Sequence, residues 1–89
     1  MSARAEKIEQ LLTEALQPQS IDVVDDSHQH AGHGGYDAEG SHFSVTIVSS
    51  RFSGEDTLSR HRMIYAALSD MMQREIHALS ISAHTPDEI

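Results

Sequence analysis

The chain has 89 residues, enough for one domain with a modest core and too few for two. It contains no cysteine, which excludes a disulfide framework and any metal site built from its own thiolates. Fourteen acidic against six basic side chains give a formal net charge of −8, which opposes general attraction to nucleic-acid phosphates. The first residues, Met1 to Lys7, run straight into helical periodicity without the apolar core of a signal peptide. No apolar run approaches the roughly 20 residues that cross a bilayer. These features predict a cytoplasmic domain that does not enter membranes.

Ile8, Leu11, Leu12, Ala15 and Leu16 recur at the spacing of an amphipathic helix, and Pro18 ends it. Ile21 to Asp26 reads as a short strand. From His42 to Ser49 the chain alternates, with Phe43, Val45 and Ile47 on one face of a half-buried strand. Residues 27–41 between these strands have four glycines and the composition of a flexible hairpin loop. A loop of that length inside a small domain is uncommon unless it is functional or disordered.

Phe52 to Thr57 reads as a turn, with Asp56 or Thr57 as N-cap of a second helical region. Ile64, Leu68, Met71 and Met72 form its core-facing stripe, with Leu58 and Tyr65 at the margins and the methionines as core filler. Ile76 to Ala83 is the last strand. Thr85 to Glu88 then begins a terminal helical turn with proline at a favourable first position.

The predicted order is helix, strand, strand, helix, strand, which is an α+β class. The first two strands form an antiparallel hairpin. The third returns after a helical crossover, so beside the second it runs parallel to it. A parallel third strand starts at the sheet edge where the long loop ends. His77, near the start of that strand, is therefore expected beside the loop histidines His28, His30 and His33, over 40 positions away. Imidazole is the commonest metal-ligand side chain, so this convergence marks a candidate metal centre with nitrogen ligands.

His28 lies two positions from His30 and is read as solvated, while His42 at a strand entry is read as a structural hydrogen-bonding residue. The loop histidines could hold zinc with Asp26 or Asp37, but their spacing is no zinc-finger pattern and a glycine-rich loop preorganises poorly. No nucleophile–base pair or phosphate-cradling glycine motif is identifiable, and the chain is read as non-enzymatic. Arg51, Arg60 and Arg62 concentrate half of the basic residues in one stretch, as a phosphate-contacting surface would. The turn Gly54 to Thr57 lacks the second glycine of a backbone-clamping loop and carries two carboxylates. The alternative role of the arginines is to anchor a helix start, paired with acidic neighbours or sheet-edge carbonyls.

The Phe-x-Gly turn at Phe52 and Gly54, the run Arg60-His61-Arg62-Met63-Ile64-Tyr65 and the run Ile76-His77-Ala78-Leu79-Ser80-Ile81 resemble the signature of the BolA family. Ser41-His42-Phe43 and Thr85-Pro86 resemble it too, and the set stands in the family's order from Ile21 to Pro86. The resemblance implies one BolA-like domain over residues 1–89, an α-β-β-α-β core related to the type II KH arrangement, with a three-stranded mixed sheet packed on helices.

It also implies a heterodimer with a monothiol glutaredoxin. A 2Fe–2S cluster is shared there with the glutaredoxin cysteine and a glutathione thiolate. Family members add one histidine from the third-strand motif and one histidine or cysteine from the hairpin loop. The first maps onto His77. The second maps by its Ser-x-x-His spacing, from Ser27, onto His30, with His33 as the alternative. Two imidazoles in place of cysteines remove negative charge and raise the reduction potential. Imidazole ligates only when neutral, so retention is expected to weaken as pH falls through about 6. Because DNA regulation is also attributed to the family, a regulator using Arg51, Arg60 and Arg62 is the competing expectation. Alone, the chain is expected as a monomer or weak homodimer.

Overall fold

The computed structural model describes residues 3–26 and 41–89. Helix α1 (Ala3–Leu16) leads into strand β1 (Ser20–Asp25), and strand β2 (Ser41–Val48) follows. A short 3-10 turn (Ser50–Phe52), helices α2 (Thr57–Ala67) and α3 (Ser69–Arg74), strand β3 (Ile76–His84) and a last 3-10 turn (Pro86–Glu88) complete the chain. The sheet order is β1-β2-β3, with β1 antiparallel and β3 parallel to the central β2. The α+β class and the mixed sheet are as the residue pattern predicts.

Helix α1 buries Ala5, Ile8, Leu12 and Leu16. These positions lie three or four residues apart and form one stripe. Leu11 is only partly buried and Ala15 is exposed, so the stripe sits further round the helix than the five-residue reading placed it. Gln17 closes the helix with φ 46, and its N–H donates to the Thr13 carbonyl (3.0 Å). Pro18 then prevents continuation.

The second helical region is two helices rather than one. Leu68, with φ −105 and ψ 15, sits at the break, buried, and its N–H still reaches the carbonyls of Ile64 and Tyr65. Asp56, and not Thr57, is the N-cap, its carboxylate accepting from the Ser59 N–H at 2.8 Å. Ile64, Leu68 and Met71 are buried, with Met63 and Met72 partly so. Leu58 and Tyr65 are exposed rather than marginal to the core.

All helices lie on one side of the sheet. Val23, Phe43, Val45, Ile47 and Ile76 face them and form the core with Phe52 and the helix stripes. The other side, carrying Asp22, Thr46, Ala78, Ser80 and Ser82, is exposed. A sheet covered on one face alternates in this way because only one set of side chains leaves water. At the far end from the hairpin loop, Ser49 is fully buried. Its hydroxyl donates to the Leu16 carbonyl (2.7 Å) and accepts from the Arg51 N–H (3.1 Å), locking the exit of α1 to the exit of β2.

Candidate metal centre

Parallel pairing of β2 and β3 sets the geometry. Ser41, where β2 begins, lies opposite Ile76, where β3 begins. Asp26, just after β1, donates its N–H to the His42 carbonyl at 2.8 Å. Both ends of the 27–40 segment therefore attach at the edge where β3 starts, as the topological argument requires. His30 and His33, like His28, lie outside the described residues.

The ladder slips at this edge. Ser41 pairs with Ile76 but His42 pairs with Ala78, so β3 spends two residues where β2 spends one, and His77 is the residue passed over. Such a slip re-aims side chains. Ile76 faces the core, His77 and Ala78 are both exposed, and Leu79, Ile81 and Ala83 resume the inner face. His77 is thus held out of the core by backbone register.

The neighbour it meets there is His42. The two imidazole centres lie 5.1 Å apart with their planes tilted by 41°. His42 alternates with the buried Phe43 and so projects from the opposite face of β2. Ser44, two residues on, hydrogen-bonds the Asp26 carboxylate through its hydroxyl (2.5 Å), which holds Asp26 at the same edge. Among the described residues, no group of three or more His, Cys, Asp or Glu side chains stands ready to hold a metal ion. The sequence alone marks His42 as a structural residue. Its ring stands beside that of His77 although across the ladder His42 pairs with Ala78, so the contact depends on the slip and not on the regular parallel register.

Of Arg51, Arg60 and Arg62, the first two are engaged within the fold. Arg60 makes a two-pronged ion pair with Glu88 (2.7 and 2.8 Å) and donates to the Ala83 and Glu55 carbonyls (3.1 and 2.9 Å). Its guanidinium carbon also stands 5.9 Å from the centre of the Phe52 ring. The Arg60 hydrogen bonds and the Thr85 N–H hold the Glu88 carboxyl down to about 2. Arg51 donates to the Ala15 carbonyl (3.4 Å) and the Gln17 amide oxygen (2.8 Å) at the end of α1, where a cation meets the negative pole of the helix. Arg62 is exposed. Arg60 thus pairs with an acidic neighbour and a sheet-edge carbonyl as the anchoring alternative has it, while Arg51 holds the end of α1 rather than a helix start.

A mixed three-stranded sheet with helices on one face and a histidine exposed where its third strand begins define a small α+β domain. The BolA-like protein family model matches residues 12–88. The chain is 43% identical over 83 residues to the DNA-binding transcriptional regulator BolA of Escherichia coli (strain K12), covering 93% of this chain and 76% of that protein. It is 41% identical over 95 residues to SufE-like protein 1 of Arabidopsis thaliana, spanning all of this chain but about a quarter of that protein (25%). The solved BolA domain of SufE1 from Arabidopsis thaliana superposes with a TM-score of 0.89 at 43% identity, covering 100% of this chain and 99% of that one. The chain belongs to the BolA family.

Proposed function

We propose that this chain is a non-enzymatic adaptor of iron–sulfur metabolism that pairs with a monothiol glutaredoxin and co-ligates a glutathione-bound 2Fe–2S cluster. The observation that carries the reading is His77, exposed at a register slip on the edge where the histidine loop re-enters the sheet. The donor set fits a shared group. The chain offers imidazole nitrogens and no thiolate, so thiolates come from a partner. His77 supplies one nitrogen and His30 the other, with His33 as its substitute. The cluster, when bound, supplies transferable iron and sulfide or a redox signal of iron status. The sheet edge fixes where His77 stands, and the residues that flank the His30 and His33 segment, Asp26 and Ser41, lie at that same edge.

The test is reconstitution with a monothiol glutaredoxin, glutathione, iron and sulfide, read by visible absorption and circular dichroism. The wild-type chain is expected to give a mixed-complex spectrum that disappears with His77→Ala and with either His30→Ala or His33→Ala. Absence of a complex, or a spectrum indifferent to all three changes, overturns the reading.

One observation favours a second reading, the similarity to the DNA-binding transcriptional regulator BolA of Escherichia coli. Its residues here are Arg62 foremost, with Arg51 and Arg60 already engaged in holding the fold. Fluorescence anisotropy with specific and random duplexes at low and moderate salt tests it. Equal weak binding of both duplexes, unchanged in Arg62→Ala, eliminates it.

A further inference from the structure

We infer that His42 and His77 form an open two-nitrogen site for a borderline divalent cation such as zinc on the chain alone, without partner, cluster or loop histidine. The inference is independent of the adaptor reading, which assigns the second nitrogen to the loop. It rests on the relation between the rings. A zinc ion ~2.0–2.1 Å from one nitrogen of each of two imidazoles, at a tetrahedral angle, puts the ring centres about 5 Å apart. The observed separation is 5.1 Å, and the 41° tilt is far from the parallel arrangement of stacked rings.

The backbone beneath both rings is fixed by the sheet. His42 sits in the central strand, with its carbonyl held by the Asp26 N–H. His77 is displaced from the ladder between Ile76, which is buried, and Ala78, which pairs with His42. Neither ring needs the 27–40 segment to reach the other. A ligating imidazole keeps its second nitrogen for a hydrogen bond that fixes its orientation. No third His, Cys, Asp or Glu joins the pair among the described residues. On these two nitrogens a tetrahedral ion would have two further coordination positions to fill. That arrangement is an open site, as distinct from the closed four-ligand sites that serve structure.

The experiment is a calorimetric titration of the purified chain with zinc chloride. It compares wild type, His42→Gln, His77→Gln and a triple variant carrying His28→Gln, His30→Gln and His33→Gln. One-to-one binding is expected in the wild type and the triple variant, with a loss of roughly tenfold or more in each of the other two. A second measurement guards against misfolded variants. In the wild-type chain with labelled histidine, substoichiometric zinc is expected to shift the His42 and His77 ring signals first. No zinc binding by the wild type, unchanged affinity in His42→Gln, loss of binding in the triple variant, or ring shifts confined to loop histidines would each overturn the inference.

Discussion

Arg60 and Glu88, 28 positions apart, meet through two hydrogen bonds of 2.7 and 2.8 Å and so tie the first turn of α2 to the turn that follows β3. The Arg60 side chain is only 13% exposed and also reaches the Ala83 and Glu55 carbonyls. Glu88 in turn accepts from the Thr85 N–H in a capping box. The latch gives a use in the fold to two stretches of the family-like pattern, Arg60-His61-Arg62 and the turn that begins at Thr85-Pro86.

The latch makes stability depend on pH in a defined window. The Glu88 carboxyl is lowered in the folded state from 4.5 to about 2, chiefly by the Arg60 hydrogen bonds. A depressed carboxylate contributes stability that is fully present above its unfolded value and is lost as pH falls through its folded value. Thermal melts of wild type and Glu88→Gln should differ above pH 4.5 and converge toward pH 2. Arg60→Ala should cost more than Glu88→Gln at neutral pH, because it also releases two backbone carbonyls. Equal effects would show that those carbonyl contacts contribute nothing.

Ser49→Ala should cost about 1–3 kcal/mol, the penalty for leaving buried hydrogen-bonding groups unsatisfied. The hydroxyl serves the Leu16 carbonyl and the Arg51 N–H at once, in a site with no exposure. Urea unfolding measures it, and a change under a few tenths would remove Ser49 from the account of how α1 is docked.

Two of the three alanines of α1, Ala5 and Ala15, separate core from surface. Ala5→Leu should overpack a closed site and cost ~1–3 kcal/mol. Ala15→Leu, on the exposed side, should stay within about 0.5 kcal/mol. Leu12→Ala, which empties a fully buried position, should cost ~2–5 kcal/mol. Chemical denaturation of the three variants orders them, and an Ala15 variant worse than the Ala5 variant would reverse the assigned helix face.

Gln17 holds φ 46, a left-handed conformation that costs a residue with a Cβ roughly 1–2 kcal/mol. Gln17→Gly should therefore stabilise the chain by up to about 1 kcal/mol, less what is lost with the exposed Arg51 hydrogen bond. Gln17→Val should destabilise it. A Val variant as stable as the glycine variant in thermal unfolding would contradict the backbone assignment.

Much of the fold is legible in the sequence because its signals are local. Phe43, Val45 and Ile47 alternate, Pro18 stops a helix, and a helical crossover dictates that β3 runs parallel to β2. From that parallel order alone follows the convergence of His77 with the loop edge. What is hidden depends on relations that no local pattern encodes. The stripe of α1 admits Ala5 or Ala15 until the sheet chooses a face. The break at Leu68 has no glycine or proline to announce it. The Arg60–Glu88 pair spans 28 positions and two elements. The slip at His77 leaves one trace. Leu79, Ile81 and Ala83 alternate with Ser80 and Ser82, and Ile76 falls one position out of phase with them.

The central claim is that His77 gives a nitrogen to a cluster shared with a partner. It is tested most directly by pulsed electron paramagnetic resonance of the reduced cluster in the reconstituted mixed complex, comparing uniformly 14N chain with chain carrying 15N-labelled histidine. The account predicts strong nitrogen couplings that change isotope with the label and are lost or halved in His77→Ala. Couplings absent from the wild type, or identical in His77→Ala, would contradict it.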